Sequence, residues 1–336
     1  MTDSGRNPNL PLVSVVLAVY NGAETLRQTL QSVLAQTYPN IEVWVVDDGS
    51  TDETPEVLRS LQDPRLRVLS LERNVGRSQA RNLGVQKAAG ELLAMIDADD
   101  LWYPDKIAAQ ARFLNEHREI ALCGAWAHLR TEGGEVLDWR QPTDPVSIRR
   151  SILWMNPFIH CTLVARKDAF LEAGGYDPAL HFAEDYDLAL RIAWRRDVAN
   201  VAHFLAQYRY HTNLLYRWRD VVGKTRARAR ALQLYGYPLL HFPCLLTPLL
   251  SACLPLGVGL RIKPYVEAWR ASSESPTRDF LKSAFFKALA VIAGTYAIAR
   301  VATLASQVWA GKALGVNEYG AANVVLAAAA IFHIVL

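Results

Sequence analysis

Four strand-like segments recur at the start of the chain, the continuous apolar, β-branched run Val13–Val19, then Ile41–Val46, the short Leu66–Leu69 and the apolar run Leu92–Ile96, with a stretch of helical pattern between each pair. Runs of this kind suit strands buried on both faces, and their alternation with helices over short connections predicts a parallel sheet covered by helices on both sides. The first run turns at Tyr20-Asn21-Gly22 into a helix carrying Leu26, Leu30, Val33 and Leu34 on one face. Thr51 reads as the N-cap of a second helix, with Asp52 and Glu53 in its first turn. Asn74-Val75-Gly76 leads into a third, from about Arg77 to Ala89, closed by Gly90. A helix after Pro104 reaches about Glu116, Ile120–Ala127 reads as a strand before a hairpin-like turn at Glu132–Glu135, and Asp185–Trp194 is helical by pattern.

Two of the runs stop at acids. Ile41–Val46 ends in Asp47-Asp48-Gly49-Ser50 and Leu92–Ile96 in Asp97-Ala98-Asp99-Asp100. In open α/β sheets the carboxyl edge is where ligands bind. Carboxylates this close repel one another unless a cation is present. A solvated acidic turn is the plain alternative, and its repetition at two strand ends favours a ligand. The absence of a P-loop and of Gly-x-Gly-x-x-Gly argues against an ATPase or a dehydrogenase. Acids repel a bare diphosphate, but a divalent cation among them turns the same edge into a diphosphate site, because Mg2+ and Mn2+ prefer oxygen ligands. Such a metal also stabilises a departing diphosphate, as a nucleotide-sugar transferase requires. The acids of Glu184-Asp185-Tyr186-Asp187 fit helix-terminus electrostatics equally well, and a lone histidine such as His211 is ordinarily structural.

Charge is uneven along the chain. Dense up to about Arg230, it vanishes between Leu232 and Leu260, and from Ala288 to Leu336 only Arg300, Lys312 and Glu318 remain. The basic stretch of Arg217, Arg219, Lys224, Arg226, Arg228 and Arg230 immediately precedes the uncharged segment, a position in which a basic helix rests on anionic lipid phosphates. Pro238, Pro243, Pro248 and Pro255 interrupt the apolar segment too often for one straight helix, so interfacial helices are expected, with a transmembrane hairpin as the alternative. Ala288–Ala310 reads as a membrane helix with Arg300 near its middle. No basic stripe interleaved with aromatics points to nucleic acid. Cys123, Cys161, Cys244 and Cys253 lack metal spacing and read as buried thiols of a reducing compartment. The polar start, Met1–Leu10, has no signal-peptide core.

In order and spacing, Val15-Val16-Leu17-Ala18-Val19-Tyr20-Asn21-Gly22, Val45-Val46-Asp47-Asp48-Gly49-Ser50-Thr51-Asp52, Asn74-Val75-Gly76 with Ala80-Arg81-Asn82, Asp97-Ala98-Asp99-Asp100 and Glu184-Asp185 resemble the family 2 inverting glycosyltransferases of the GT-A fold. The resemblance spans about Pro11–His211. It implies a nucleoside-diphosphate-sugar donor, usually a UDP-sugar, and Mg2+ or Mn2+. It implies Ala18 and Tyr20 beside the nucleotide, Asp48 on the uracil edge, Asp47 supporting that loop, and Arg81 facing the donor. Asp97 and Asp99 match the D-x-D, Asp99 as the direct metal ligand and Asp97 nearer the sugar and ribose. Asp185 matches the general base, Glu184 a residue positioning the acceptor, and His211 a position near the metal or diphosphate. From Phe280 on, Arg300 and Ala313-Leu314-Gly315-Val316-Asn317-Glu318-Tyr319-Gly320 resemble the start of Wzx-like polysaccharide flippases, implying a transferase fused to a flippase and truncated here.

The expected organisation is a disordered start at 1–10, an α/β GT-A domain at 11–215, a basic amphipathic helix with interfacial helices at 216–265, a linker at 266–279 and flippase-like transmembrane segments at 280–336. The expected activity is transfer of a sugar to a polyprenyl-diphosphate-linked saccharide, at the cytoplasmic face of the bacterial inner membrane, with lipids as partners. The alternatives are a polyprenyl-phosphate glycosyltransferase and a non-catalytic membrane scaffold.

Overall fold

A computed structural model of the chain describes residues 10–131, 133–210, 214–234 and 244–245, all in the first of two units, which ends at Pro248. The expectations for residues 1–9, His211, the linker and the flippase-like segment lie outside the described residues. So does the apolar segment, except at its first residues and at Cys244 and Leu245. Among the described residues no helix is long and apolar enough to cross a membrane.

The chain alternates β1 (Val13–Val19), α1 (Ala23–Leu34), β2 (Ile41–Asp47), α2 (Thr54–Ser60), β3 (Leu66–Ser70), α3 (Arg77–Lys87) and β4 (Leu92–Met95). These strands lie in the order β3-β2-β1-β4, all parallel. Successive residues of β1 explain the continuous apolar run, because each face of the sheet is covered. Val15 and Leu17 point into a core shared with Leu26, Leu30 and Val33 of α1, whereas Val16 points into the opposite core with Val85 of α3. Complete burial of Leu26 and Leu30 is worth about 1.5–3 kcal/mol each.

The second half departs from an all-parallel sheet. It contains β5 (Leu101–Trp102), α4 (Lys106–Glu116), β6 (Ile120–Thr131), β7 (Val136–Trp139), α5 (Pro145–Ser151), a 3-10 turn at His160–Thr162, β8 (Val164–Arg166), α6 (Lys167–Glu172), α7 (Glu184–Arg195), β9 (Asp197–Tyr210) and α8 (Leu214–Leu234). Past β4 the order continues β8-β6-β9-β5, with β7 beside β6. Here β8 is antiparallel to β4 and β6, β6 is parallel to β9, and β5 is antiparallel to β9. The sheet is therefore mixed.

Three local expectations change for physical reasons. Strand β6 continues to Thr131 because beyond Ala127 it leaves the doubly covered core; one side becomes solvent-facing, and His128 and Arg130 alternate with buried Leu129. Strand β9 escapes the apolar-run criterion because polar Asn200, His203 and Gln207 interrupt it. Helix α2 starts at Thr54, with Pro55 in its first turn, where a missing N–H costs nothing. Thr51 is not its cap: Asp52 Oδ1 accepts from Thr54 N–H (3.0 Å), while Thr51 N–H donates to Asn21 Oδ1 (2.8 Å).

Candidate active site

The loops after β1 and β2 are bound to each other at the carboxyl edge of the sheet. Asn21 adopts φ 53°, and its N–H donates to Ser50 Oγ (3.0 Å); Gly22 N–H donates to Thr54 Oγ1 (2.9 Å) and Ala23 N–H to Asp52 Oδ2 (3.1 Å). The donors at the start of α1 are thus satisfied by the neighbouring loop. Buried Asp47 accepts from Ser50 N–H (3.0 Å), turning the chain at Gly49. Gly49 has φ +74°, and a Cβ there would stand 2.7 Å from the Arg73 carbonyl carbon, so the turn needs glycine twice over.

Beside these loops opens a cleft of about 430 Å³, lined by Ala18, Val19, Tyr20 and Asp48 from the strand ends, Asn74–Gln79 from the start of α3, Pro178, Leu180, His181 and Phe182 from the loop before α7, and Arg219 from α8. Asp48 is 2% exposed, and its two carboxylate oxygens accept from Val75 N–H (2.7 Å) and Gly76 N–H (3.0 Å). The acid expected on a base edge is therefore first a clamp on the 74–76 loop, with its remaining lone pairs turned to the cleft wall. Ser78 Oγ donates to Leu180 O (3.2 Å), joining the two sides of the cleft.

Next to the cleft runs a chain of buried charges. Arg81, 3% exposed, donates from Nη1 to Glu184 Oε1 (2.7 Å) and from Nη2 to Asp97 Oδ1, and its guanidinium lies 5.4 Å from the centre of the Tyr176 ring. Asp97 Oδ2 pairs with His160 Nδ1 (2.9 Å), whose Nε2 meets Tyr176 Oη (3.0 Å). Asn82 grips the Tyr176 backbone from both sides, accepting from its N–H (3.0 Å) and donating to its carbonyl (2.8 Å). Arg77 links this chain to the cleft: it lines the cleft, and its Nε stands 3.8 Å from Glu184 Oε1.

This arrangement shows what three of the expected site residues touch. Arg81 is a buried tie between Asp97 and Glu184. Glu184, 4% exposed, is the counter-ion of Arg81. Asp97 has one oxygen on Arg81 and the other on His160, and each oxygen keeps a second lone pair. Burial opposes its ionisation, but His160 and Arg81 overrule this and hold its carboxyl well below the usual range.

The acids after β4 divide their work. Asp100 is wholly buried, and its Oδ1 accepts from Arg209 N–H (2.8 Å); burial, and then Asp99 and Asp97, push its carboxyl well above the usual range. Asp99 is partly exposed at the turn. Among the described residues no set of three or more His, Cys, Asp or Glu side chains is arranged to hold a metal. A hard divalent cation nevertheless fits the donor set, since Mg2+ is commonly held by one or two carboxylates plus phosphate oxygens and water. Asp99 provides such a carboxylate.

Asp185 follows Glu184 in the first turn of α7, whose N-cap Ala183 adopts φ 59°. Burial, and then the Glu184 charge, raise its carboxyl above the usual range, and Asn156 Nδ2 lies 3.5 Å from its Oδ2. A carboxylate made more basic in this way suits proton removal.

The basic residues of α8 are not a uniform lipid-facing surface. Arg228, 3% exposed, donates to Tyr186 Oη (3.1 Å) and to the carbonyls of Cys244 and Trp154 (both 2.9 Å). Arg230 pairs with Asp177 (2.6 Å), Lys224 with Asp220 of its own helix (2.6 Å), and Arg219 lines the cleft. Arg226 is exposed, with no carboxylate paired to it among the described residues. The side chain of Arg217 lies outside the described residues. Arg228 and Arg230 are thus held by the domain, through the carbonyls of Trp154 and Cys244 and the carboxylate of Asp177.

Nothing in the sequence singles out His160 or Tyr176. His160 falls in a short apolar stretch with no recognisable spacing, and the only hint at Tyr176 is the Gly174-Gly175 pair before it.

Residues 14–174 match the profile described as Glycosyl transferase family 2. Similar curated proteins include an uncharacterized glycosyltransferase of Rickettsia felis, 33% identical over 219 residues, or 62% of this chain and 36% of that protein. One of Rickettsia typhi is 34% identical over 54% of this chain and 59% of its own length. The chain thus spans well under two thirds of these relatives. Among solved structures, S. aureus TarS 1–349 superposes with a TM-score of 0.57 at 21% identity, covering 72% of this chain and 71% of that one. The mannosyltransferase PcManGT from Pyrobaculum calidifontis, in complex with GDP-Man and Mn2+, gives 0.56 at 22% identity over 86% of this chain and 83% of that one. At these identities they show a shared fold.

Proposed function

We propose, from the match of residues 14–174 to the family 2 glycosyltransferase profile and from the shared fold, that this chain is a family 2 glycosyltransferase that moves a sugar from a nucleoside-diphosphate sugar to an acceptor hydroxyl with inversion. The observation that carries the reading is the meeting of two features at one sheet edge: a cleft walled by Asp48, and the Asp97–Arg81–Glu184 chain, joined through Arg77. Ala18, Tyr20 and the loop clamped by Asp48 receive the nucleotide. Asp47 keeps that loop in shape. Arg81 and Glu184 hold Asp97 at the donor, where its spare lone pairs accept from ribose or sugar hydroxyls.

Asp185 takes the proton from the acceptor hydroxyl, which attacks the anomeric carbon from the face opposite the leaving nucleoside diphosphate. The attacking oxygen's bond forms as the bond to the diphosphate breaks. Asp99, with His211 as a further ligand, would hold Mg2+ or Mn2+, which would supply stabilisation of the negative charge on that diphosphate. The Mn2+ of the mannosyltransferase neighbour supports a divalent metal, and its GDP-Man, like the UDP-GlcNAc of another TarS structure, supports a nucleotide-sugar donor, for which a UDP-sugar is our choice.

The acceptor in this reading is a polyprenyl-diphosphate-linked saccharide at the cytoplasmic face of the bacterial inner membrane, with the flippase-like segment in the same polypeptide. The charge-free stretch 232–260 and the nearly charge-free stretch 288–336 support the membrane setting. A panel of nucleotide sugars, offered with membrane extracts and with Mg2+, Mn2+ or chelator, tests the whole. One donor should release its nucleoside diphosphate only with metal, and Asp185→Asn should stop turnover while nucleotide binding persists. Consumption of no donor would refute the transferase reading, and retained turnover in Asp185→Asn would remove the base.

A further inference from the structure

Helix α8 begins 40 residues beyond the segment matched by the family profile, which stops at 174, yet it forms part of the cleft wall through Arg219. We propose that Arg219 binds the diphosphate of the nucleotide, so that the donor site is incomplete without α8; this rests on the transferase reading above. Its guanidinium lies 6.0 Å from the centre of the Phe182 ring, and that of Arg77 lies 5.2 Å from the same centre. Two cations thus share one aromatic ring at the wall of one cleft. Arg77 has Glu184 at 3.8 Å, whereas no carboxylate among the described residues pairs with the exposed Arg219. An anion bound in the cleft meets a wall that carries both residues, and a guanidinium fork suits the oxygens of a phosphate.

The position of Arg219 is set by packing. Gly223, one turn further along α8, is seated on the backbone of Phe182; a Cβ there would stand 2.7 Å from the Phe182 carbonyl carbon and 2.9 Å from its Cβ. No backbone can yield that much, so a side chain at 223 must push α8 outward and withdraw Arg219. Further along, Arg228 on the Trp154 carbonyl and Arg230 on Asp177 pin the same helix to the domain. The cleft is thereby coupled to the helix that leads into the apolar stretch.

Titrating the whole chain with UDP, GDP, the corresponding nucleosides and vesicles of anionic lipid tests the proposal. Arg219→Ala should weaken binding of the preferred nucleoside diphosphate about tenfold and leave its nucleoside unchanged, with Arg219→Lys in between. Gly223→Ala should show the same selective loss, and the double variant should be no worse than either single one. Equal diphosphate affinity in Arg219→Ala and wild type would overturn the assignment while sparing the transferase reading. Weakened vesicle binding with unchanged diphosphate binding would transfer the residue to a lipid headgroup and likewise overturn it. A wild-type chain that binds neither diphosphate would overturn both readings. A melting transition shared with wild type shows that each variant is folded.

Discussion

Removing the Arg81 guanidinium isolates its role most directly. Arg81→Met keeps most of the side-chain volume, so the expected loss comes from charge. Glu184, 4% exposed, would be left with only Arg77 at 3.8 Å. Breaking a buried ion pair from one side costs about 3–5 kcal/mol. Asp97 is partly exposed and keeps His160, which places the expected cost near the lower end, at about 3 kcal/mol. Glu184→Gln retains an acceptor for Arg81 and should cost about 1–2 kcal/mol. Because the two changes remove the same interaction, the double variant should fall short of additivity by about 1–2 kcal/mol.

Equilibrium urea unfolding of the three variants reads these numbers as midpoint shifts at constant slope. Acid should add a second signature. A carboxyl depressed in the folded state contributes stability that is fully present above its unfolded value, about 3.9, and is lost as pH falls through its folded value. Wild type should therefore weaken steeply below about pH 4, and Arg81→Met less so because it has already lost part of what holds Asp97 ionised. An Arg81→Met variant within about 0.5 kcal/mol of wild type, or strict additivity, would refute the tie.

Two further changes probe the neighbouring groups. Asp99→Ala should weaken nucleoside-diphosphate binding in Mg2+ or Mn2+ and leave it unaltered in chelator, measured by the same titrations; a loss that persists in chelator would deny the metal contact. Lys106 is fully buried, its Nζ has no hydrogen-bond partner among the described residues, and the Trp102 ring centre lies 4.1 Å away. Burial lowers its amine to about 7, against an ordinary 10.5. The unfolded chain therefore binds more protons between those values, and stability should rise with pH across that window. Lys106→Met should be more stable than wild type by up to about 5 kcal/mol at pH 7, the gap closing near pH 10.5. An equal or less stable Met variant in pH-resolved unfolding would contradict this.

The strands and acids of the first half were legible because covering both faces of a strand leaves a continuous apolar run, and such runs ended at Asp47 and Asp97. The second half was harder to read. The mixed sheet depends on pairings that span long stretches of chain, such as Ile120 with Asp197, and no local pattern encodes them. Motif position identified Arg81 and Glu184 but not that they pair with each other, because a charge reads the same in sequence whether a ligand or another side chain neutralises it. His160 and Tyr176 went unseen for the same reason: only the fold brings them to Asp97. In α8 the basic run looked like one surface, yet Arg228 binds the carbonyl of Trp154 and Arg230 the carboxylate of Asp177.

Asp99 and Asp100 are adjacent and identical in type, yet they do unlike jobs. The grip of Asp100 on the Arg209 amide staples the end of β9 to the turn after β4. An alanine scan scored by activity alone would rank positions 99 and 100 together as though both met the ligand. Soluble yield would part them: the outer acid should be dispensable for a folded chain, and the inner one should not.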